Sequence, residues 1–461
     1  MGGGLPRRRL GLLAGVLLGL VIASSAAVLA QTAAPNAWYT YGADAGRTGY
    51  NAGETSIRAP LYLTREYRVG TGTLTSPAVA AGLVLVVSSD GSVYALDAPT
   101  GRTRWSYATG GPVRGTPVYV PAQGPVGAET LPASVFFASE DGSVYSVEAA
   151  TGALRWRRPV NAPIRLPLAY ASGFVFVTPV PTPGALAFLA LASTDGTFWH
   201  GRYAIGELPA PVVSDFDRLA YFEEPALTAY PSTLSAQAGE PRWRFSNSNI
   251  VPFPGSPTHP TAGPGIVFGV WYRGWLAALD SGGRLLWERP PPGEVNEDPA
   301  PLPVAYAGDQ VIGTMSAATA GAPPYAFALS ATLGIDRWAT ILEGSRSVLS
   351  QPAVANGLVF LVDCRSGSAG QADSRGLRVL DASSGQERWR SEAPLAAGCD
   401  RDNAAPAVAE GAVYLVTGVG RLIALTSSPP APTPTPSPTV TPTLPNLPNR
   451  LYLPFVGKNA R

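Results

Sequence analysis

A glycine placed four residues ahead of a tryptophan recurs along the chain, and this repeat constrains the fold more than any other feature. It appears as Gly101/Trp105, Gly152/Trp156, Gly239/Trp243, Gly283/Trp287, Gly334/Trp338 and Gly385/Trp389, with a degenerate seventh copy at Asp195-Gly196 and Trp199. The clearest copy reads Ala95-Leu96-Asp97-Ala98-Pro99-Thr100-Gly101-Arg102-Thr103-Arg104-Trp105. A second signal precedes each copy, a residue followed by proline and an alternating apolar run: Ser76-Pro77, Thr116-Pro117, Leu166-Pro167, Ala210-Pro211, Ser256-Pro257, Ala300-Pro301, Gln351-Pro352 and Ala405-Pro406. The periods fall between 40 and 54 residues, a spacing typical of solenoids and radial arrays.

Each unit reads as four short strands. The proline leads into a β-rich run such as Leu83 to Val87, then a tight Asp90-Gly91 hairpin into Val93 to Leu96. The glycine after Thr100 suits a turn that needs positive φ, and Trp105 offers a broad ring to wedge between neighbouring sheets. One such meander cannot bury both of its faces, whereas a radial set buries each against the next. The expected fold is all-β, an eight-bladed β-propeller of four-stranded antiparallel blades with a WD40/YVTN-like architecture. Seven blades is the alternative, reached if the degenerate third unit forms none.

The ends of the repeat array suggest how the ring closes. The eighth unit, from Pro406 to Leu425, stops before its outer strand, while Leu61 to Val69 stands ahead of the first unit and could supply it. The reading therefore assigns 61–427 to a propeller closed by an N-terminal strand, and 31–60, including Trp38 to Gly49, to a lead-in. Residues 1–30, with Arg7 to Arg9 before an apolar stretch and small residues up to Ala30, read as a secretory signal peptide. Residues 428–449 are a Pro/Thr-rich stalk of extended character, and 450–461 a short C-terminal tag. The expected location is secreted or at the cell surface, periplasmic if the cell has an outer membrane, with the membrane involved only through the export signal.

Composition excludes much chemistry. Net charge is +1 from 33 basic and 32 acidic residues, with no basic block after the first ten, so nucleic acid is not an expected partner. Lys458 is the sole lysine and His200 and His259 the sole histidines, which removes a core Schiff-base lysine and any multi-histidine metal centre. No nucleophile elbow, P-loop or zinc-spaced cysteine set is present. No catalytic residue and no metal site is assigned.

The pattern A-x-D-x-x-T-G-x-x-x-W, as it stands at Ala95 to Trp105, resembles the tryptophan-docking signature of the quinoprotein alcohol dehydrogenase-like, or PQQ-repeat, propellers. The resemblance runs from about Trp38 to Ser427. It implies that Trp105, Trp156, Trp199, Trp243, Trp287, Trp338 and Trp389 are structural docking residues. Members that use the quinone carry a vicinal cysteine pair and a calcium set, whereas here Cys364 and Cys399 are not adjacent and no calcium set is assignable. The chain thus looks more like the non-catalytic members, including outer-membrane protein assembly lipoproteins, although it lacks their lipidated cysteine. A binding or scaffold module without cofactor is expected, monomeric, holding a protein, glycan or small polar ligand at the cell surface. A divergent oxidoreductase using PQQ with calcium is the alternative.

Two placements follow from an up-and-down meander. The loop between second and third strands opens on the same face as the loop entering the next unit, so Cys364 and Cys399 share a face and should form a disulfide. Residues ahead of the prolines ring the axis on that face. The charged or polar ones are Arg114 and Arg165 on one arc, with Glu297, Asp298, Asp402 and Asn403 on another, a set able to hold a zwitterionic or polar ligand.

Overall fold

A computed structural model describes residues 36–429 except 127–128, 184–185, 203–211, 215–217, 224–225, 232–242, 246–259, 271–274, 291, 293–302, 316–322, 349, 366–372, 393 and 398–404. Residues 1–30, read as a signal peptide, and those beyond Pro429, read as stalk and tag, lie outside the described residues. All regular structure described is β, and among the described residues no helix is long and apolar enough to cross a membrane.

Seven successive stretches of chain each fold into a four-stranded antiparallel meander, running from an innermost to an outermost strand. The first comprises Ala78–Ala80, Leu83–Val87, Ser92–Asp97 and Thr103–Ala108. The second adds a ribbon, Gln123–Val126 with Glu129–Leu131, between its first two strands. The degenerate third unit forms a complete blade from Ala169–Ala171, Phe174–Val177, Phe188–Ala192 and Phe198–Arg202. Counted as blades of contiguous chain the number is seven, the alternative of the sequence reading, although the third unit, whose loss that alternative supposed, is among them.

An eighth sheet joins the two ends of the array. Ala407–Ala409 and the long strand Ala412–Thr426 come from the C-terminal end, and Tyr62–Thr73 supplies the outer strand, with Glu66 opposite Ile423 and Arg68 opposite Arg421. The innermost strands touch in sequence round the axis, and Ala407–Ala409 touches Ala78–Ala80, so the ring is closed. The closing strand is the one read from Leu61 to Val69.

Strand pairs turn where the sequence supplies the right residues. Asp90 Oδ1 accepts from Ser92 N and Asp141 Oδ1 from Ser143 N, with Gly91 and Gly142 at φ of 90° and 78°, so both Asp-Gly pairs are hairpin turns. The fifth and sixth innermost strands, Thr261–Gly263 and Ala305–Ala307, start after Pro260 and Pro303; the Ser256-Pro257 and Ala300-Pro301 signals lie outside the described residues. The core is a series of clusters between sheets. Leu85 and Val87 of the first blade meet Phe137 and Tyr145 of the second, and Phe136 meets Val175 of the third. Apolar side chains of the described meanders are thus buried between neighbouring sheets, which no isolated unit could do.

Candidate functional site

The rim of the ring is built by side-chain docking. Trp105 Nε1 donates to Ala149 O at 2.8 Å, and the same bond is made by Trp156 to Ser193 O, Trp243 to Ser281 O, Trp287 to Ala331 O and Trp338 to Ala382 O. Each indole covers the glycine of the following blade: a Cβ added at Gly152 would lie 2.7 Å from the Trp105 ring. Glycine is required there twice over, by this approach and by φ of 73°. Trp389 is half-buried against the cluster joining the seventh and eighth sheets, whose outer strand comes from elsewhere in the chain.

Trp199 departs from the expected role. In the other blades the tryptophan faces the third strand at one register, as in Trp105 opposite Ala95 and Trp338 opposite Ala328. In the third blade His200 stands opposite Ala190. Trp199 is one residue out of register, 53% exposed, and meets Phe174 instead. The docking position there is histidine's, and the shared four-residue spacing Gly196 to His200 was the signal that could have identified it.

The eighth junction uses a residue that sequence reading did not single out. Tyr67, on the closing strand, donates from its hydroxyl to Ala98 O at 3.1 Å, and its ring lies 2.5 Å from the Cβ position of Gly101. Tyr67 therefore does for the closing sheet and the first blade what tryptophan does at five other junctions. Burial raises its phenol pKa.

The axis is built by backbone. The lead-in passes round the inside of the ring, and inner strands bond to it in order. Trp38 and Val79 exchange both backbone bonds; Tyr119 N donates to Tyr39 O, Val213 N to Ala45 O, Ala262 N to Gly46 O, Tyr306 N to Thr48 O and Val354 N to Gly49 O, all between 2.7 and 2.9 Å. Tyr50–Asn51 then pairs in parallel with Val354 and Ala355. The two remaining sheets are reached by side chains: Arg47 Nη2 donates to Pro167 O at 3.3 Å beside the third inner strand, and Asn51 Nδ2 to Val408 O at 2.9 Å in the eighth. Trp38, Thr40, Arg47, Asn51 and Glu54 are buried. The segment expected to be a lead-in is thus an internal strap that satisfies the inner strands' N–H groups, which would otherwise face an open channel.

Of the residues placed round the axial entrance, the structure describes two. Arg114 Nε and Arg165 Nε both bond to Glu140 Oε1, at 2.5 and 3.0 Å. Both guanidiniums are about half exposed, while Glu140 is largely covered. Partial burial opposes the ionised form of Glu140, but the two arginines outweigh it and hold its carboxyl below the usual range. Glu297, Asp298, Asp402 and Asn403 lie outside the described residues. Sequence reading missed Glu140, because it sits in the hairpin turn of the second blade rather than ahead of a proline.

Cys364 is buried on the second strand of the seventh blade and is disulfide-bonded; Cys399 lies outside the described residues. Around Cys364 sits a buried ion network. Asp363 meets Arg378 at 3.4 Å and Arg365 at 3.3 Å, and accepts from the Ser345 hydroxyl, while Arg378 also reaches Glu387. Every one of these charges has a partner, as burial demands.

The inner strands' N–H groups are committed to the strap, and among the described residues no three His, Cys, Asp or Glu are grouped to hold a metal.

Residues 66–131 and 311–428 match the family described as outer membrane protein assembly factor BamB. No curated protein sequence matches the chain. Among solved structures, BamB from Moraxella catarrhalis is similar at 16% identity and TM-score 0.56, covering 80% of this chain and 98% of its own. Quinohemoprotein alcohol dehydrogenase from Comamonas testosteroni is similar at 14% identity and TM-score 0.60, with 88% and 83% covered. The computationally designed Ika8 protein gives 13% identity and TM-score 0.55, with 79% and 99% covered. At these identities the likeness speaks for fold.

Proposed function

We propose that this PQQ-repeat β-propeller is an exported, non-catalytic binding module of the cell envelope, holding a protein or glycan partner. The carrying observation is the strap: backbone from Trp38 to Asn51 occupies the axis and is hydrogen-bonded to inner strands of most blades, leaving the loops of the two faces as the recognition surface. The similarity to BamB, an outer membrane assembly factor by name, supports a protein partner and an envelope location. The face bearing Arg114, Arg165 and Glu140 is the first candidate, since two half-exposed guanidiniums anchored by one carboxylate keep their outer N–H groups available to an anionic group. A bridge from Cys364 to Cys399, the only other cysteine, would pin the insertion on that same face.

Purified protein mixed with calcium and PQQ should give no stoichiometric quinone spectrum and no dye-linked alcohol oxidation; a quinone complex with turnover would replace this reading by the oxidoreductase one. In parallel, Arg114→Ala with Arg165→Ala should lower capture of envelope components without moving the melting temperature. Unchanged capture would remove this face from the proposal.

A further inference from the structure

We infer that a cavity between the strap and the second and third blades is a binding site for a small organic cation, of the amine or methylated ammonium class. The cavity holds about 190 Å³ and is lined by Tyr39, Thr40, Asp44 and Ala45 of the strap, Val118 to Pro121 of the second inner strand, and Tyr170 of the third. A single water needs only about 10–15 Å³ on this measure, so the space is that of an organic group. It forms where, among the described residues, the strap makes no backbone bond to the third inner strand; Arg47 hydrogen-bonds to Pro167 O and Ala45 packs against that blade's core.

Its chemistry is one-sided. Asp44 lines the cavity as a carboxylate whose partners among the described residues belong to its own turn: Thr48 N at 3.0 Å and Thr48 Oγ1 at 2.7 Å, with backbone of Gly46 and Arg47. No basic side chain among the described residues pairs with it. Arg47, three residues on, turns away to Pro167 O and lies over the Tyr41 ring at 5.7 Å. Burial accordingly pushes the Asp44 carboxyl up, the signature of an anion lacking a counter-charge. Thr40 is 4% exposed and its Oγ1 has no hydrogen-bond partner.

The walls suit a cation carrying carbon. The Tyr39 and Tyr119 rings lie 6.1 Å apart and nearly parallel, and Tyr170 adds a third ring. Aromatic faces attract a positive charge, most strongly one that sheds water readily. Val118, Val120 and Pro121 supply apolar contact for methyl groups. A bare metal ion is disfavoured, since the lining offers one carboxylate and no second acidic or imidazole ligand. The site differs from the Arg114/Arg165 face: Arg114 precedes the second inner strand, whereas Pro121 follows it.

The test uses the full exported chain, titrated with tetramethylammonium, choline and methylammonium chlorides against sodium chloride at equal ionic strength, read by calorimetry and melting temperature. At least one organic cation should bind saturably and raise the melting temperature. Asp44→Asn, whose Oδ1 can still accept from Thr48 N, should melt at or above the parent temperature without ligand and bind about ten-fold or more weakly. Tyr39→Leu should weaken binding of the methylated cations more than of methylammonium. Absence of saturable binding by all three cations, or full-strength binding by Asp44→Asn, would overturn the inference. Neither result bears on capture through Arg114 and Arg165.

Discussion

The rim and the axis of this ring are held by opposite means. On the rim, six junctions each depend on one particular side chain: five indoles and the Tyr67 phenol each cover a glycine of the next blade and donate to a carbonyl. On the axis, a strap of mixed sequence offers carbonyls to the inner strands, and most of its side chains are incidental to the bonds. Rim strength should therefore be lost by point substitution and axial strength only by removing chain.

The largest effect should come from removing chain at both places together. Deleting residues 31 to 70 takes away the strap, its ring of bonds and most of the outer strand of the eighth sheet, leaving inner-strand N–H groups unpaired and Arg421 to Thr426 as an open edge. The deletion should aggregate or lose cooperative unfolding, as checked by calorimetry and size-exclusion chromatography. A truncation that melts at the parent temperature would mean that the rim alone holds the ring. Deleting residues 431 to 461 should leave melting unchanged.

Single substitutions on the rim come next and should differ by register. Trp105 is 7% exposed and fully docked, so Trp105→Ala should cost about 3–5 kcal/mol. Trp199 is 53% exposed and out of register, so Trp199→Ala should stay within about 0.5 kcal/mol of the parent. Chemical denaturation of the two variants separates them. Equal losses would show that the third blade docks through its tryptophan after all.

What was legible follows the same division. Glycine and tryptophan on the rim are chosen by positive φ and by ring size, so the blades, their order and the closing strand could be read from spacing. The strap could not, because a backbone carbonyl is the same whether Trp38, Ala45 or Gly49 carries it. Tyr67 was missed for a third reason: it does tryptophan's work with a different aromatic ring, and a search for one residue type passes over it; His200 takes the tryptophan register of the third blade and was passed over in the same way. Of the polar residues placed at the axial entrance, Arg114 and Arg165 do converge. They do so on Glu140, a turn residue distant from the proline signal that located them.

The eighth junction tests how far a rim contact can be reduced. Tyr67→Phe keeps the ring over Gly101 and removes only the bond to Ala98 O, so it should cost about 1 kcal/mol. Tyr67→Ala should approach the loss of a docking tryptophan. If Tyr67→Phe and Tyr67→Ala behave alike, the hydroxyl rather than ring packing carries the closure.

The smallest effect is electrostatic, and its sign should differ between rim and axis. Asp97 accepts from the Thr100 hydroxyl and amide and from Arg104, and these bonds hold its carboxyl down to about 2, below an unfolded value near 3.8. Asp381, bonded to Ser383 and then Arg388, is depressed in the same way. A depressed carboxyl contributes stability that is present above the unfolded pKa and is lost as pH falls through the folded one, so the rim should weaken from about pH 4 down to about 2. Asp44 on the axis is shifted upward by burial, so the folded state takes up its proton first, and this residue alone should favour folding as pH falls from neutrality toward its unfolded pKa. Denaturant unfolding followed from pH 7 to pH 2 should show Asp97→Asn with a shallower acid loss than the parent. Asp44→Asn should lack the gain between neutrality and pH 4 while keeping the acid loss. Because Asp97 is paired with the half-exposed guanidinium of Arg104, its effect should also shrink in high salt, whereas that of Asp44, set by burial, should not; parallel salt dependence in both variants would mean that the axial carboxyl is reached by solvent as freely as the rim.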